Sequence, residues 1–154
     1  LAETLVKTPG SGNEGSSAAG KTETGPALDW CTTRPWLIRQ VCHLISGPPF
    51  RNVQTALGLS AFLSHASDRV PPGLAVLRTV FRDFCVIRHA PEKLLNIDFK
   101  DRFQTLRPSI NDKNTLFWMD QLHETEKRLA SNSSIRMTFD RFFLKLNHLQ
   151  GSLL

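Results

Sequence analysis

The chain contains no tyrosine, only three cysteines, and no apolar run approaching the roughly 18 residues of a membrane span. Each shortage closes off a class of function. The missing tyrosine removes one of the usual general acids, and no G-x-S-x-G elbow supplies an exposed serine nucleophile. Cys31, Cys42 and Cys85 are odd in number, and no two are separated by only two residues as in zinc or redox motifs. They read as reduced thiols packed in a core. His43, His65, His89, His123 and His148 are scattered, and none has the spacing that sets two imidazoles on one helical face. No metal and no cofactor is therefore expected. Nor does any stretch alternate apolar and polar residues for the length of a strand, which turns the reading towards helices. The N-terminus, LAETLVK, has no initiator methionine and lacks the basic-then-apolar order of a signal peptide. A cytoplasmic location is expected, and a sequence cut from within a longer chain.

What is present is an ordinary supply of apolar residues, 40% of 154, enough for one domain with a sizeable core. Nineteen Lys and Arg stand against fourteen Asp and Glu, a net charge of +5. That balance permits contact with nucleic acid or an acidic partner, but it speaks to association rather than to fold. The basic residues are not clustered. Arg78, Arg82 and Arg88 share a helix with Asp83 beside them, the pattern of a solvated face. Asp98/Asp101 and Glu124/Glu126 are spaced like helix-surface or capping carboxylates rather than a catalytic pair.

The clearest pattern runs from Thr115 to Leu149. Trp118, Leu122, Thr125 and Leu129 recur at helical spacing. After the polar break Ser131-Asn132-Ser133-Ser134, a second stripe follows in Ile135, Phe139, Phe142, Phe143, Leu146 and Leu149. So short an elbow makes the two helices neighbours, and one pair cannot cover that many phenylalanines. The cover comes from upstream. PALDW, Pro26 to Trp30, predicts a short helical piece, and Thr33-Arg34-Pro35 predicts a helix start with Leu37, Val41, Leu44 and Ile45 inward until Gly47-Pro48-Pro49. A second helix is expected from Phe50 or Arg51 to about His65, with Val53, Leu57, Ala61 and Phe62 or Leu63 inward. A third begins at Pro71-Pro72 and carries Leu74, Leu77, Phe81, Phe84 and Cys85 on one face. Asp98 is placed to cap a further helix from Phe99 to Leu106, and Asn111 or Asp112 to cap the first helix of the closing pair. Phe81/Phe84 and Phe139/Phe142/Phe143 are read as core rather than as stacking surfaces. The expected fold is all-α, a single bundle of six or seven helices over residues 26–150; residues 1–25 are expected to be the tail of a preceding domain, with Leu1 to Lys7 the end of a helix, and a flexible Gly/Ser-rich loop.

Within that segment Gly15-Ser-Ser-Ala-Ala-Gly20-Lys21-Thr22 matches G-x-x-x-x-G-K-[ST], the phosphate-cradling loop. The motif works only when a strand delivers the loop and a helix begins at its end, so that amides and helix dipole converge on the phosphates. Upstream is Thr8-Pro9-Gly10-Ser11-Gly12, which is no strand, and Gly25-Pro26 breaks any helix downstream. Gly15, Gly20, Lys21 and Thr22 are therefore read as a chance match.

Several segments together resemble a known family. Lys127-Arg-Leu-Ala-Ser-Asn132, followed by Phe139, Phe142, Phe143, Leu144 and Leu146, resembles the end of the bacterial DNA polymerase III delta-prime subunit. There a basic-Leu-Ala-x-Asn run precedes a leucine-rich last helix. Phe81-Arg82-Asp83 stands where that family has Trp-x-Arg-Asp, Leu94-Leu95-Asn96 with Asp98 resembles its Leu-x-Asn-x-Asp turn, and Gly25-Pro26-Ala27-Leu28 its Gly-x-Ala-Leu segment. The likeness spans Gly25 to Leu149, in apolar patterns shared with gamma/tau subunits. The loop from Thr8 to Thr24 is longer and richer in glycine than the family pattern, and the family's ATPase-like module would lie upstream of Leu1.

The resemblance implies a non-catalytic collar, part of a DNA polymerase holoenzyme subunit, that binds the collars of gamma/tau and delta subunits. In the assembled ring it would serve the loading of a sliding clamp on primed DNA, with no membrane involved. Arg128, Arg136 and Arg141 are the expected candidates for meeting a neighbouring subunit. A gamma/tau-type collar and a stand-alone helical nucleic-acid-binding module are the alternatives.

Overall fold

The computed structural model describes residues 28–151. The expected helix end and flexible loop of residues 1–25, the Gly15–Thr22 match and most of the Gly25–Leu28 likeness lie outside the described residues. Six α-helices follow in order: α1 Trp30–Ser46, α2 Pro49–Ser64, α3 Val70–Val86, α4 Lys100–Leu106, α5 Asp112–Ala130 and α6 Ile135–Gly151. Single 3-10 turns at Ser67–Arg69, Pro91–Lys93, Ile97–Phe99 and Arg107–Ser109 join them, and no strand occurs among the described residues. The protein is an all-α bundle, as its apolar periodicity predicts.

The helices begin where polar side chains satisfy free amides. Asp29 accepts from the N–H of Cys31 at 2.9 Å, so α1 starts at Trp30, earlier than the start expected at Thr33-Arg34-Pro35. Pro35 consequently lies inside the helix, where it removes the bond to the Cys31 carbonyl on an exposed first turn. Asn111 caps α5 by accepting from the N–H of Asn114 at 2.7 Å. After α5 the chain turns through Asn132, whose φ of 58° is left-handed, and Ser133 donates its N–H to the Arg128 carbonyl at 3.2 Å. Asparagine accepts that conformation more readily than most residues, and the turn sends α6 back against the bundle.

Apolar burial then fixes the packing. Alpha6 lies chiefly against α2, and α3 against α5. Phe81 forms the hub, its ring centroid 6.1 Å from those of Phe84, Trp118 and Phe142. Phe139, Phe143 and Leu146 are buried as expected, as is Leu122, while Leu129, Leu74 and Cys85 are half-buried at the margins. Each enclosed phenylalanine contributes about 1.5–3 kcal/mol of apolar transfer.

The phase of α2 departs from expectation. Val53 and Leu57, expected inward, are each 38% exposed, while Asn52, Ala56, Leu59, Ser60 and Leu63 are buried. Two polar anchors set this rotation. Asn52 donates from Nδ2 to the carbonyls of Leu44 at 2.9 Å and Gly47 at 2.7 Å, holding the start of α2 under the end of α1. Ser60 donates from Oγ to the Arg136 carbonyl at 3.2 Å, across 76 residues. Gly47 is required by the first anchor, because a Cβ there would stand 2.4 Å from Asn52 Oδ1.

Candidate interaction surfaces

Beside the aromatic core lies a polar node built on Asp83. It stands on α3, is fully buried, and is not the solvated residue its sequence neighbours suggest. Its carboxylate accepts from the N–H of Leu95 at 3.0 Å, the N–H of Asn96 at 2.7 Å, Asn96 Nδ2 at 2.8 Å and Arg82 Nη1 at 2.9 Å. Four donors on one carboxylate offset its loss of hydration. From Asn96 the network passes to α1. Arg34 donates to Asn96 Oδ1 and, through both terminal nitrogens, to the Asp98 carboxylate at 2.8 and 3.0 Å. Asp98 therefore does not cap a helix from Phe99 as expected. The chain makes a 3-10 turn at Ile97–Phe99, α4 starts at Lys100, and the Asp98 carboxylate turns sideways to Arg34. That hydrogen bond, with the guanidinium charge behind it, holds the Asp98 carboxyl below its ordinary pKa.

An open groove of about 570 Å³ runs beside this clasp, lined by Pro35, Arg39, His43, Asp98, Phe99, Asp101 and Arg102. Basic and acidic side chains both line it, and Asp98 is already committed to Arg34. Cys42 lies on the buried side of α1. Burial, against the nearby Arg102, pushes its thiol up to about 11, so it stays protonated at neutral pH and offers no nucleophile. Cys31 is exposed and Cys85 half-buried, so of the three thiols expected in the core only Cys42 is fully enclosed. No group of three or more metal-ligating side chains occurs among the described residues.

The three arginines of α3 and its extension are engaged rather than free. Arg78 pairs with Glu126 of α5, Arg82 with Asp83 and the Lys93 carbonyl, and Arg88 with the Ile110 carbonyl at 2.7 Å. Glu124 lies 3.2 Å from Arg128. Glu126 and Glu124 therefore serve separate arginines and do not form a carboxylate pair. Of the proposed interface arginines, Arg128 is half-buried and Arg136 and Arg141 are exposed. Arg136 pairs with Asp140 at 3.0 Å, one turn along α6. Arg128 and Arg141 meet at one cleft, at the α5–α6 elbow, and Arg136 does not line it.

Two further features were hidden from sequence reading. Leu95 and Ile97, 58% and 59% exposed, are held outward on the turn that Asp83 fixes, alternating with buried Leu94 and Asn96. Trp36 of α1, also partly exposed, packs on Phe62 of α2 with centroids 4.7 Å apart over a shallow groove that includes Gly58. No described helix is long and apolar enough to cross a membrane. The fold and these surfaces define an all-α bundle in which Arg34, Arg78, Arg82, Asp83 and Asp98 are spent on structural contacts. No protein-family model, curated protein or solved structure matches the chain.

Proposed function

We propose that this bundle is a non-catalytic assembly domain, the collar of a clamp-loader subunit of the delta-prime type. The observation that carries the proposal is the Asp83 node. The motifs on which the resemblance rests, Phe81-Arg82-Asp83 and Leu94-Leu95-Asn96 with Asp98, are distant in sequence, yet Asp83 binds Asn96 across 13 residues and Asn96 shares Arg34 with Asp98. Each polar letter of the pattern thus has a structural duty towards the others, which a chance likeness of apolar patterns would not require. Asn132, the last letter of the basic-Leu-Ala-x-Asn run, takes the left-handed turn that joins the closing helices. The engagement of acids, thiol and α3 arginines in structural contacts supports assembly over catalysis.

In this role the domain associates with the collars of gamma/tau and delta subunits, and the upstream modules of the full complex act on the sliding clamp and primed DNA. Size-exclusion chromatography with gamma/tau and delta collar domains tests it. Co-migration at micromolar concentration is expected; separate migration of all components overturns the proposal. Salt-sensitive binding to duplex DNA without such partners would instead favour a stand-alone nucleic-acid-binding module.

A further inference from the structure

We infer that the cleft at the α5–α6 elbow is a docking site for an acidic side chain beside an apolar one, presented by a partner protein. The cleft encloses about 360 Å³ between Arg128, Ser133, Ser134, Met137, Thr138 and Arg141. Its donors are under-used. The Arg128 side chain is 39% exposed; its Nε is buried 3.2 Å from the Glu124 carboxylate, so a partner would meet the terminal nitrogens, which make no hydrogen bond with any described residue. Arg141 makes no hydrogen bond or ion pair with any described residue, and the Ser133 hydroxyl is likewise unengaged. A carboxylate placed between the two guanidiniums would accept from both, and arginine's planar fork favours such paired acceptance.

Met137 decides between possible occupants. It is 72% exposed in the same cleft, the most exposed of the large apolar side chains described. A flexible thioether beside two arginines suits a segment that brings an apolar side chain next to its carboxylate. A phosphodiester strand fits less well. Glu124 pairs with Arg128, Asp140 with Arg136, and the arginines of α3 are paired elsewhere, so no continuous track of positive charge leads a nucleic-acid backbone to the cleft. Whichever protein supplies the segment, the cleft can be tested alone, so its failure leaves the collar proposal standing and the reverse also holds.

The test uses the full chain, labelled with 15N, titrated with the blocked peptide Ac-Leu-Glu-Glu-Leu-NH2 while the amides of Ser133 to Thr138 are followed. Saturable shifts confined to that stretch are expected. Arg141→Glu, at an exposed position where folding is untouched, should weaken binding about tenfold or more, as loss of one charge-assisted contact implies. Ac-Leu-Gln-Gln-Leu-NH2 should lose a similar factor, and Met137→Asp should also weaken the acidic peptide. Absence of shifts, retention of affinity by Arg141→Glu, or tighter binding of the oligonucleotide dT4 at the same amides would each overturn the assignment.

Discussion

Two neighbouring parts of the bundle are held by opposite means. The closing pair α5–α6 is held by a stripe of aromatic rings meeting at Phe81, each contact non-directional and each ring fully enclosed. The segment from Pro91 to Phe99 has hardly any regular structure, and three hydrogen bonds to a single buried carboxylate keep it in place. The first arrangement spreads its free energy over many atoms and degrades gradually when one is lost. The second concentrates it, because an amide left buried without its acceptor costs about 1–3 kcal/mol by itself.

Phe81→Ala should produce the largest loss, about 4 kcal/mol, since it opens a cavity touching three other rings. Urea denaturation should show it as a lower midpoint in one cooperative transition. Asp83→Ala should cost about 3 kcal/mol. Its signature should differ: hydrogen exchange at Leu95 and Asn96 should rise far more than at Phe142 or Leu146. If both regions lose protection together after Asp83→Ala, the node is part of the core and the contrast fails.

A third effect is smaller and local. Asn132→Ala should destabilise by about 1 kcal/mol in thermal melts, because alanine resists the left-handed turn, whereas Asn132→Gly should be neutral or slightly stabilising. Equal losses for both would show that the Asn132 side chain, not its backbone, matters.

The smallest effect concerns the outer clasp. Arg34 lowers the Asp98 pKa in the folded protein, so the pair stabilises above the ordinary carboxylate pKa near 4 and is lost as pH falls through the lower folded value. The Asp98 side chain is 49% exposed, so Asp98→Asn should cost under about 1 kcal/mol at neutral pH. The difference between variant and parent should vanish in acid. A constant difference from pH 7 to pH 2 would mean that the clasp acts through hydrogen bonds indifferent to charge.

The two regions were also unequally legible in the sequence. A period of 3.6 with phenylalanine at every inward position leaves little choice, and Phe139, Phe142, Phe143 and Leu146 are buried where that period puts them. The same rule misplaced α2 by part of a turn, because Asn52 and Ser60, both polar, make the contacts that set its rotation. Asp83 reads as a surface residue from its neighbours, since nothing local announces that Leu95 and Asn96 will bring their amides to it. Asp98 likewise resembles a helix cap until Arg34, 64 residues away, is placed beside it. The cleft between Arg128 and Arg141 was half legible: both were candidates, but Met137 was not singled out, and Arg136 was grouped with them although Asp140 engages it. Polar pairing between elements carries no periodic signal, and it accounts for the misses at α2, Asp83 and Asp98.

The dependence of α2 on α6 also has a meaning in time. Alpha2 ends at Ser64 and its main neighbour begins at Ile135. At about 5–20 residues per second, a ribosome needs several seconds to make the stretch between them. Through that interval α2 lacks its main neighbour, so a nascent chain paused before Ile135 leaves the side of α2 that packs on α6 open to chaperones or other nascent chains.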